Sequence, residues 1–466
     1  MDINVMDITE RTRSDATSPV RYALTGACGG FGRTLLAQTR YVPGLSPAVL
    51  CDLDTGGLRA LWAELGLPDD GLRVCRTPDE VRRAGSDPDV TLAVPDTALL
   101  AETEFDILVE ATGNPAVGYA AAVAALTAGR HVAMASKEVD SVAGVRLSRL
   151  AARHGVVYTP AGGDQPANVL GLLRWGRLIG LDVVALGKSS EYDLVLDPES
   201  ETVTQQDMTV AVPGMSDLLT LGDDVRGTLA ARAALVEALP RRSSADYCEM
   251  SVVSHHSGFQ PDVPELHYPV ARIDELADVY ALREDGGLLA TTGALDVFSA
   301  LRLPGEASFA GGVFLIVRTH DDVTWRMLRE KGHVVSRDGR YACVYLPFHL
   351  MGVETPFTLL TAVHEHRGAA GPGGVGRSAV LAGRAVRDLP AGTELRMHGH
   401  HHEVDGLEPA LLTAQDAGPG TAPYYLAANA RTARDVRAGT VLTLTDLTGY
   451  DTALAQASHA EPAQDA

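Results

Sequence analysis

The stretch Tyr22-Ala-Leu-Thr-Gly26-Ala-Cys28-Gly29-Gly30-Phe31-Gly32-Arg-Thr34-Leu-Leu-Ala37 restricts the possible folds more than any other. A short apolar run, Tyr22 to Leu24, breaks into glycines, and Thr34 to Ala37 opens a helical pattern. The order predicts strand, tight turn and helix. Glycines at such a turn let backbone N–H groups approach a diphosphate, whose charge the helix N-terminus favours. The interval Gly26-x-x-Gly29-x-x-Gly32 is a variant of the commoner G-x-G-x-x-G, and in a chain with 47 glycines it proves little alone. Support comes about 20 residues on, where a dinucleotide site places an acid to bond the ribose hydroxyls. Ser46 to Cys51 reads as a second strand, and Asp52 ends it, with Asp54 as a second candidate on the same face. A carboxylate there repels a 2′-phosphate, so of NAD and NADP the pattern favours NAD.

The α/β alternation continues. Leu58 to Leu65 reads as a helix, Leu72 to Cys75 as a strand, and Thr77-Pro78-Asp79-Glu80 as a helix start with a capping box. Phe105 to Glu110 is a buried strand, Ala116 to Ala128 a helix, His131 to Ala135 a strand, Val145 to His154 a helix and Gly155 to Tyr158 a strand. This alternation implies a doubly wound, mainly parallel sheet, whose ligands gather at the carboxyl ends of its strands. Gly113 and Asn114, Ser136 and Lys137, and Gly162 to Gln165 fall at such ends. Lys137 can donate to a substrate oxygen or move a proton.

From Asn168 to about Arg367 the pattern becomes α+β, suited to a substrate side and oligomer contacts. Val169 to Leu178 reads as a helix, Val183 to Leu186 as a strand, and Leu196 to Pro213 as an acidic, mobile cover. Thr228 to Leu239 is helical, and Asp246 to His256 carries Glu249, His255 and His256 near a helix end. Val313 to Val317 and Ala342 to Tyr345 read as strands, and Leu350 to Val363 as a helix closing the core. Gly368 to Gly376 has linker composition. Beyond it Ala385-Val-Arg-Asp388-Leu-Pro-Ala-Gly392-Thr-Glu-Leu395 and Thr432-Ala-Arg-Asp435-Val-Arg-Ala-Gly439-Thr-Val-Leu442 form a weak repeat in a small β-rich module. The expected divisions are a flexible leader 1–18, a Rossmann domain 19–160, a substrate and oligomerisation domain 161–367, a linker 368–376, a β module 377–451 and a flexible tail 452–466.

A net charge of −21 argues against nucleic-acid and anionic-membrane partners. Apolar runs stay short of a membrane span, and Met1 to Ser18 has no signal-peptide core. The five cysteines (Cys28, Cys51, Cys75, Cys248 and Cys343) make no C-x-x-C pair, which suits reduced thiols and a cytoplasmic location. Cys28, inside the glycine loop, is the one to test for reactivity, and it reads more simply as a small buried residue.

Together these motifs resemble the homoserine dehydrogenase-like NAD(P)-dependent oxidoreductases that carry a C-terminal SAF domain, a family with a branch similar to 1-deoxyxylulose 5-phosphate reductoisomerase. The resemblance runs from about Val20 to Gly449. It rests on Gly26 to Leu36, Cys51-Asp-Leu-Asp54, Val109-Glu-Ala-Thr-Gly-Asn-Pro115, Gly129-Arg-His-Val132, Gly163-Asp-Gln-Pro166, Gly187-Lys188, Arg340-Tyr341, Pro347-Phe-His-Leu350 and the two half-motifs. It implies cofactor contacts from Gly26, Cys28, Gly29, Gly30, Phe31, Gly32 and Asp52, with Ala111, Thr112, Gly113 and Asn114 beside the nicotinamide. It implies catalytic roles for Lys137, Asp164 and Lys188, to which His255 is added as a candidate acid or base. It also implies a small oxygenated substrate, phosphorylated or not, and a homodimer or higher homo-oligomer. The chain departs from the family in lacking a lysine between Ser244 and Met250, and in the acidic Glu191 and Asp193 after Lys188.

No metal is assigned. His398-Gly-His400-His401-His402 with Glu403 invites one but reads as an exposed polar loop. Glu191, Asp193 and Glu249 would hold a divalent cation only if the chain is a reductoisomerase. Trp175 and Trp325 are most simply core or interface. Two other readings stand beside the dehydrogenase: that reductoisomerase, and a nucleotide-sensing protein that has lost its chemistry.

Overall fold

The computed structural model describes residues 19–85, 87, 89–369, 375–399 and 401–459. The expected leader 1–18, residues 370–374 of the expected linker, His400 and residues 460–466 of the expected tail lie outside them. The chain divides into two compact units. One comprises the chain up to Ala167, Leu350–Val375 and the residues from Tyr450 on; the other comprises Asn168–His349 and Gly376–Gly449.

The first unit alternates strand and helix: β1 (Val20–Thr25), α1 (Gly30–Thr39), β2 (Leu45–Cys51), α2 (Thr55–Glu64), β3 (Leu72–Val74), α3 (Pro78–Ala84), β4 (Thr91–Val94), β5 (Ile107–Glu110), α4 (Pro115–Thr127), β6 (His131–Met134), α5 (Lys137–His154) and β7 (Tyr158–Pro160). The strands form one seven-stranded sheet in the order β3-β4-β2-β1-β5-β6-β7. Every pairing is parallel. β5 and β6 are buried along their whole length, as sheets covered on both faces require. The fold is a Rossmann-like α/β sheet, and its strand order reverses between β1 and β5, where such sheets open a crevice at their carboxyl edge. The expected capping box is present, with Thr77 accepting from the Glu80 N–H and Glu80 from the Thr77 N–H.

Two segments from the far end of the sequence complete this unit. The helix Thr355–Glu365 packs on α1, β1 and β6. Leu359, Leu360 and Ala362 bury in one core with Tyr22, Leu24, Leu50, Ile107 and Val109. The helix therefore closes the core of the first unit rather than that of the middle region. Thr452–Ser458, expected within a flexible tail, is a helix that packs on α5 and α4. Its cap is Asp451, which accepts from the Leu454 N–H at 2.8 Å, and Leu454, Ala455 and Ala457 are buried. A short alanine-rich stretch has little helical stability of its own, so the docking surface decides. α5 starts at Lys137, eight residues before the expected Val145, because packing outweighs the weak propensity of Ser141 and Gly144. The last strand of this sheet falls at Tyr158–Pro160 rather than Gly155–Tyr158.

The boundary between the units falls within α6 (Gln165–Leu178). The second unit contains β8 (Asp182–Ser189), β9 (Leu194–Asp197), β10 (Thr202–Gln205), β11 (Met208–Ala211), α7 (Val225–Leu235), α8 (Ser244–Ser257), β12 (Gln260–Pro261), β13 (Val270–Ala271), β14 (Ala294–Arg302), β15 (Val313–Arg318) and β16 (Tyr341–Leu346). Its mixed sheet has the order β11-β10-β9-β14-β8-β15-β16, with β12 and β13 added beside β14. The stretch expected as a mobile cover is instead the antiparallel ladder β9–β10–β11. Alternation decides this: Leu194, Leu196 and Val203 point inward and, with Val212, join a buried cluster.

The weak repeat takes a reciprocal form. Leu389 and Val436 exchange backbone hydrogen bonds of 2.8 Å in both directions. Asp388 accepts from the Ala438 N–H at 2.8 Å, and Asp435, its counterpart, from the Ala391 N–H at 2.8 Å. Each half-motif thus uses its aspartate to hold the Ala-Gly turn of the other.

Candidate active site

In the first unit the sequence-predicted residues gather at the carboxyl edge. Gly26 has φ +64°, and a Cβ there would lie 2.2 Å from the Ala111 carbonyl oxygen, so the turn after β1 can press against the end of β5 only with glycine. At Gly32 a Cβ would lie 2.6 Å from the Ala27 carbonyl oxygen, and the missing side chain lets α1 close on the loop. Gly29 is the N-cap of α1 and provides no side-chain cap. The first turn therefore presents Gly30, Phe31 and Gly32 at the positive end of the helix, an arrangement suited to an anion.

Asp52 braces this loop. One carboxylate oxygen accepts from the Cys28 N–H at 2.9 Å and the other from the Asp54 N–H at 3.0 Å. Asp54 caps α2, accepting from the Gly57 N–H at 2.8 Å. Asp52 is half-buried and each oxygen keeps a second lone pair, so accepting from sugar hydroxyls is compatible with its bracing role. Cys28 is exposed, contrary to the expectation of a buried residue. Lost solvation on its inner side and the neighbouring Asp52 carboxylate push its thiol up to about 12, which opposes reactivity.

Beyond β5, Ala111 to Asn114 are held by Glu110, a residue that the motif does not single out. Glu110 is fully buried and accepts from the Thr25 hydroxyl at 3.2 Å, the Thr112 N–H at 3.0 Å and the Thr112 hydroxyl at 2.6 Å. Burial raises its carboxyl above the ordinary range. The Gly113 N–H donates to Ser136 at 2.8 Å, and Asn114 caps α4 through the Ala116 and Val117 N–H groups, both at 3.2 Å. Lys137 is the first residue of α5, where its ammonium and the helix N-terminus both favour an oxygen ligand. Asp164 stands in the turn after β7 and accepts from the Gln165 N–H at 3.0 Å.

In the second unit Lys188, on β8, meets two carboxylates from one face of α8. Its Nζ donates to Asp246 at 2.6 Å and to Glu249. The three side chains are between 1% and 2% exposed, so charge stays there only because it is paired. Asp246 also accepts from the Tyr268 hydroxyl at 3.1 Å. Burial raises the Asp246 carboxyl, with the Lys188 charge opposing and Glu249 adding to the rise. The segment lacking the family's helix lysine thus supplies, three residues apart, the partners of the lysine on β8.

The imidazole beside this centre is His401, carried by the Gly376–Gly449 segment. Its Nδ1 lies 2.9 Å from Glu191, and its ring meets Tyr192 edge-on at 6.3 Å. The hydrogen bond to Glu191 raises the histidine above its ordinary value. Burial opposes ionisation of Glu191, yet the His401 bond and the Lys188 charge hold its carboxyl below the usual range. The sequence predicts an exposed loop at His401, whereas its side chain is 19% exposed. The ring of His255 instead lies 3.1 Å from the Ala379 carbonyl oxygen. Asp193 turns to Arg302 at 2.7 Å and the Phe309 N–H at 3.3 Å, so Glu191, Asp193 and Glu249 do not converge. Among the described residues no group of three or more His, Cys, Asp or Glu side chains is arranged to hold a metal ion.

Residues 241–355 match the family model "Oxidoreductase DRL, catalytic domain". No curated protein matches the chain. Among solved structures the chain is similar to 1-deoxy-D-xylulose 5-phosphate reductoisomerase from Zymomonas mobilis in complex with NADPH, with 16% identity and a TM-score of 0.31 over 51% of this chain and 58% of that one. It thus spans under two thirds of that reductoisomerase. A probable dehydrogenase from Thermotoga maritima is 12% identical with a TM-score of 0.37, over 77% of this chain and 91% of that one. The WlbA dehydrogenase from Bordetella pertussis, in complex with NADH and UDP-GlcNAcA, is 17% identical with a TM-score of 0.26 over 38% of this chain and 47% of that one. The matched segment 241–355, which contains Asp246, Glu249, His255 and Tyr268, is thus similar to an oxidoreductase catalytic domain.

Proposed function

We propose that the chain is an NAD(P)-dependent oxidoreductase acting on a small hydroxy or oxo substrate. The observation that carries this reading is the glycine turn at the sheet's switch point, drawn onto Asp52 and opening into a helix without a side-chain cap. The match of residues 241–355 to an oxidoreductase catalytic domain supports it. A nicotinamide dinucleotide supplies the hydride donor or acceptor when bound. Gly26, Cys28, Gly29, Gly30, Phe31 and Gly32 surround its diphosphate, Asp52 accepts from the adenosine sugar and favours NAD, and Ala111 to Asn114 flank the nicotinamide. Lys137 polarises the substrate oxygen, with Asp164 orienting it. Lys188, with Asp246 and Glu249 sharing its protons, is the acid–base group of the second unit. His401, through Glu191, takes the place given in the sequence reading to His255. The homoserine dehydrogenase-like family, the SAF character of 377–451 and a homo-oligomeric state belong to the same proposal.

The test is titration with NADH and NADPH, followed by turnover on a panel of carbonyl compounds, phosphorylated and not, with and without Mg²⁺. Binding followed by substrate-dependent oxidation of the coenzyme, lost in Lys137→Ala or Lys188→Met, supports the reading. Absence of coenzyme binding refutes it. Binding without turnover, indifferent to Lys137→Ala, would instead identify a sensor, and strict dependence on Mg²⁺ a reductoisomerase.

A further inference from the structure

Beside the glycine turn stands a second turn, Leu350–Val353, which follows the Pro347–Leu350 motif where the sequence predicts the start of a helix; the helix itself begins only at Thr355. It closes on the Leu350 carbonyl, which accepts from the Val353 N–H at 2.9 Å and the Glu354 N–H at 3.2 Å. It is pressed onto its surroundings through glycines. Gly352 has φ +74°, and a Cβ there would lie 2.1 Å from Thr34 Oγ1 and 2.8 Å from the Leu35 nitrogen, on the first turns of α1. At Gly163, with φ +81°, a Cβ would lie 2.6 Å from the Leu350 carbonyl oxygen. The turn after β7 is itself fastened to the helix Thr355–Glu365. The Thr355 hydroxyl donates to the Gly162 carbonyl at 2.7 Å, and the Gly162 N–H donates to the Thr358 hydroxyl at 2.9 Å.

This rigid seat presents apolar side chains outward. Leu350 is 47%, Met351 43% and Val353 37% exposed. The Met351 methyl carbon lies 3.5 Å from where a Cβ of Gly30 would stand, directly beside the first residue of α1. Three neighbouring apolar side chains held by close backbone contact, next to an anion-binding helix end, suit a ligand that joins a charged group to a flat, weakly polar ring.

We propose that the Leu350–Val353 turn, with Met351 foremost, is the wall against which the nicotinamide half of the coenzyme is held. This inference rests on the coenzyme reading above and adds the residues that choose the ring. The direction follows from the sheet. Asp52 ends β2 on one side of β1, so a dinucleotide whose diphosphate lies at Gly29–Gly32 runs its other half past β1 toward β5, β6 and β7. The Gly162–Gly163 turn follows β7, and the Leu350–Val353 turn bridges from it to α1. Met351 is thus a positioning residue for the ring, not for the adenosine.

The experiment compares NADH with ADP-ribose, which keeps the adenosine and diphosphate but lacks the nicotinamide. Both are titrated calorimetrically into the full-length wild type, Met351→Ala and Gly352→Ala, with circular dichroism checking the fold. Met351→Ala should weaken NADH about tenfold, the worth of losing roughly two methylene contacts, and leave ADP-ribose within about twofold. Gly352→Ala, which forces the turn off α1, should do the same or more; Met351→Ala decides the matter if that variant misfolds. Unchanged NADH affinity in Met351→Ala, or equal weakening of both ligands, overturns the inference while leaving the coenzyme reading intact. A wild type that binds neither ligand overturns both.

Discussion

Replacing Lys188 with methionine keeps the side chain's length and removes its charge, leaving Asp246 and Glu249 as two carboxylates in a space where each is about 2% exposed. Removing one partner of a buried ion pair costs about 3–5 kcal/mol, because the charge left behind has neither water nor a counter-ion. At about 2–4 °C per kcal/mol for a unit of this size, calorimetry at pH 8 should show its transition roughly 6–20 °C lower. The deficit should also depend on pH. Burial already raises the Asp246 carboxyl, Glu249 raises it further, and Lys188 is what opposes them. Without Lys188 the folded state holds a proton that the unfolded chain releases near its ordinary value of about 3.9. A group raised in this way adds stability below the unfolded value and loses it as pH rises through the folded one, so the deficit is greatest at pH 8 and shrinks toward pH 5. Each unit by which the carboxyl is raised is worth about 1.4 kcal/mol. The triple variant Lys188→Met, Asp246→Asn, Glu249→Gln should recover much of the loss. A deficit below about 1 kcal/mol, or one that does not change between pH 8 and pH 5, refutes the paired-charge account.

Asp52→Ser should raise NADPH affinity relative to NADH about tenfold by removing the negative charge beside the sugar; an unchanged ratio in paired fluorescence titrations counts against that placement. The His401 ring should titrate above 6.5, and in Glu191→Gln its midpoint should fall toward that value, as followed by ring NMR signals. The sign is fixed by the pair: its stabilising contribution is complete between the ordinary glutamate value of about 4.3 and the ordinary histidine value of about 6.5, and is lost as pH rises through the raised histidine value or falls through the lowered Glu191 value. Cys28 should resist iodoacetamide at pH 8 despite its exposure, since a thiol near 12 presents about a thousandfold less thiolate than an ordinary one. Rapid labelling seen by mass spectrometry would contradict this.

The first unit was legible because its signals are local. The apolar run Tyr22–Leu24, the glycines after it and the Thr77–Glu80 capping box are decided within a few residues, and the structure forms each of them. Boundaries were less legible where packing overrides propensity, as at Lys137–Gly144, now the first turns of α5, and at Thr452–Ser458, helical because it has a surface to dock on. The ladder β9–β11 is hard to read because the acidic residues of its turns, Glu199, Glu201 and Asp207, hide the inward alternation of Leu194, Leu196 and Val203.

The candidate site divides along the same line. By itself the sequence determined a glycine turn between a strand and a helix, with an acid one strand away, since such a turn needs only a strand end, glycines and a helix start that are contiguous in the chain. Only the tertiary structure decided that Lys188 is held by Asp246 and Glu249, that Glu191 bonds His401 rather than joining Asp193, and that Leu350–Val353 seats on α1. The physical reason is range. Backbone conformation responds to the nearest residues, whereas a buried charge must be neutralised by whatever the fold brings to it, from residues 58 and 61 positions away for Lys188.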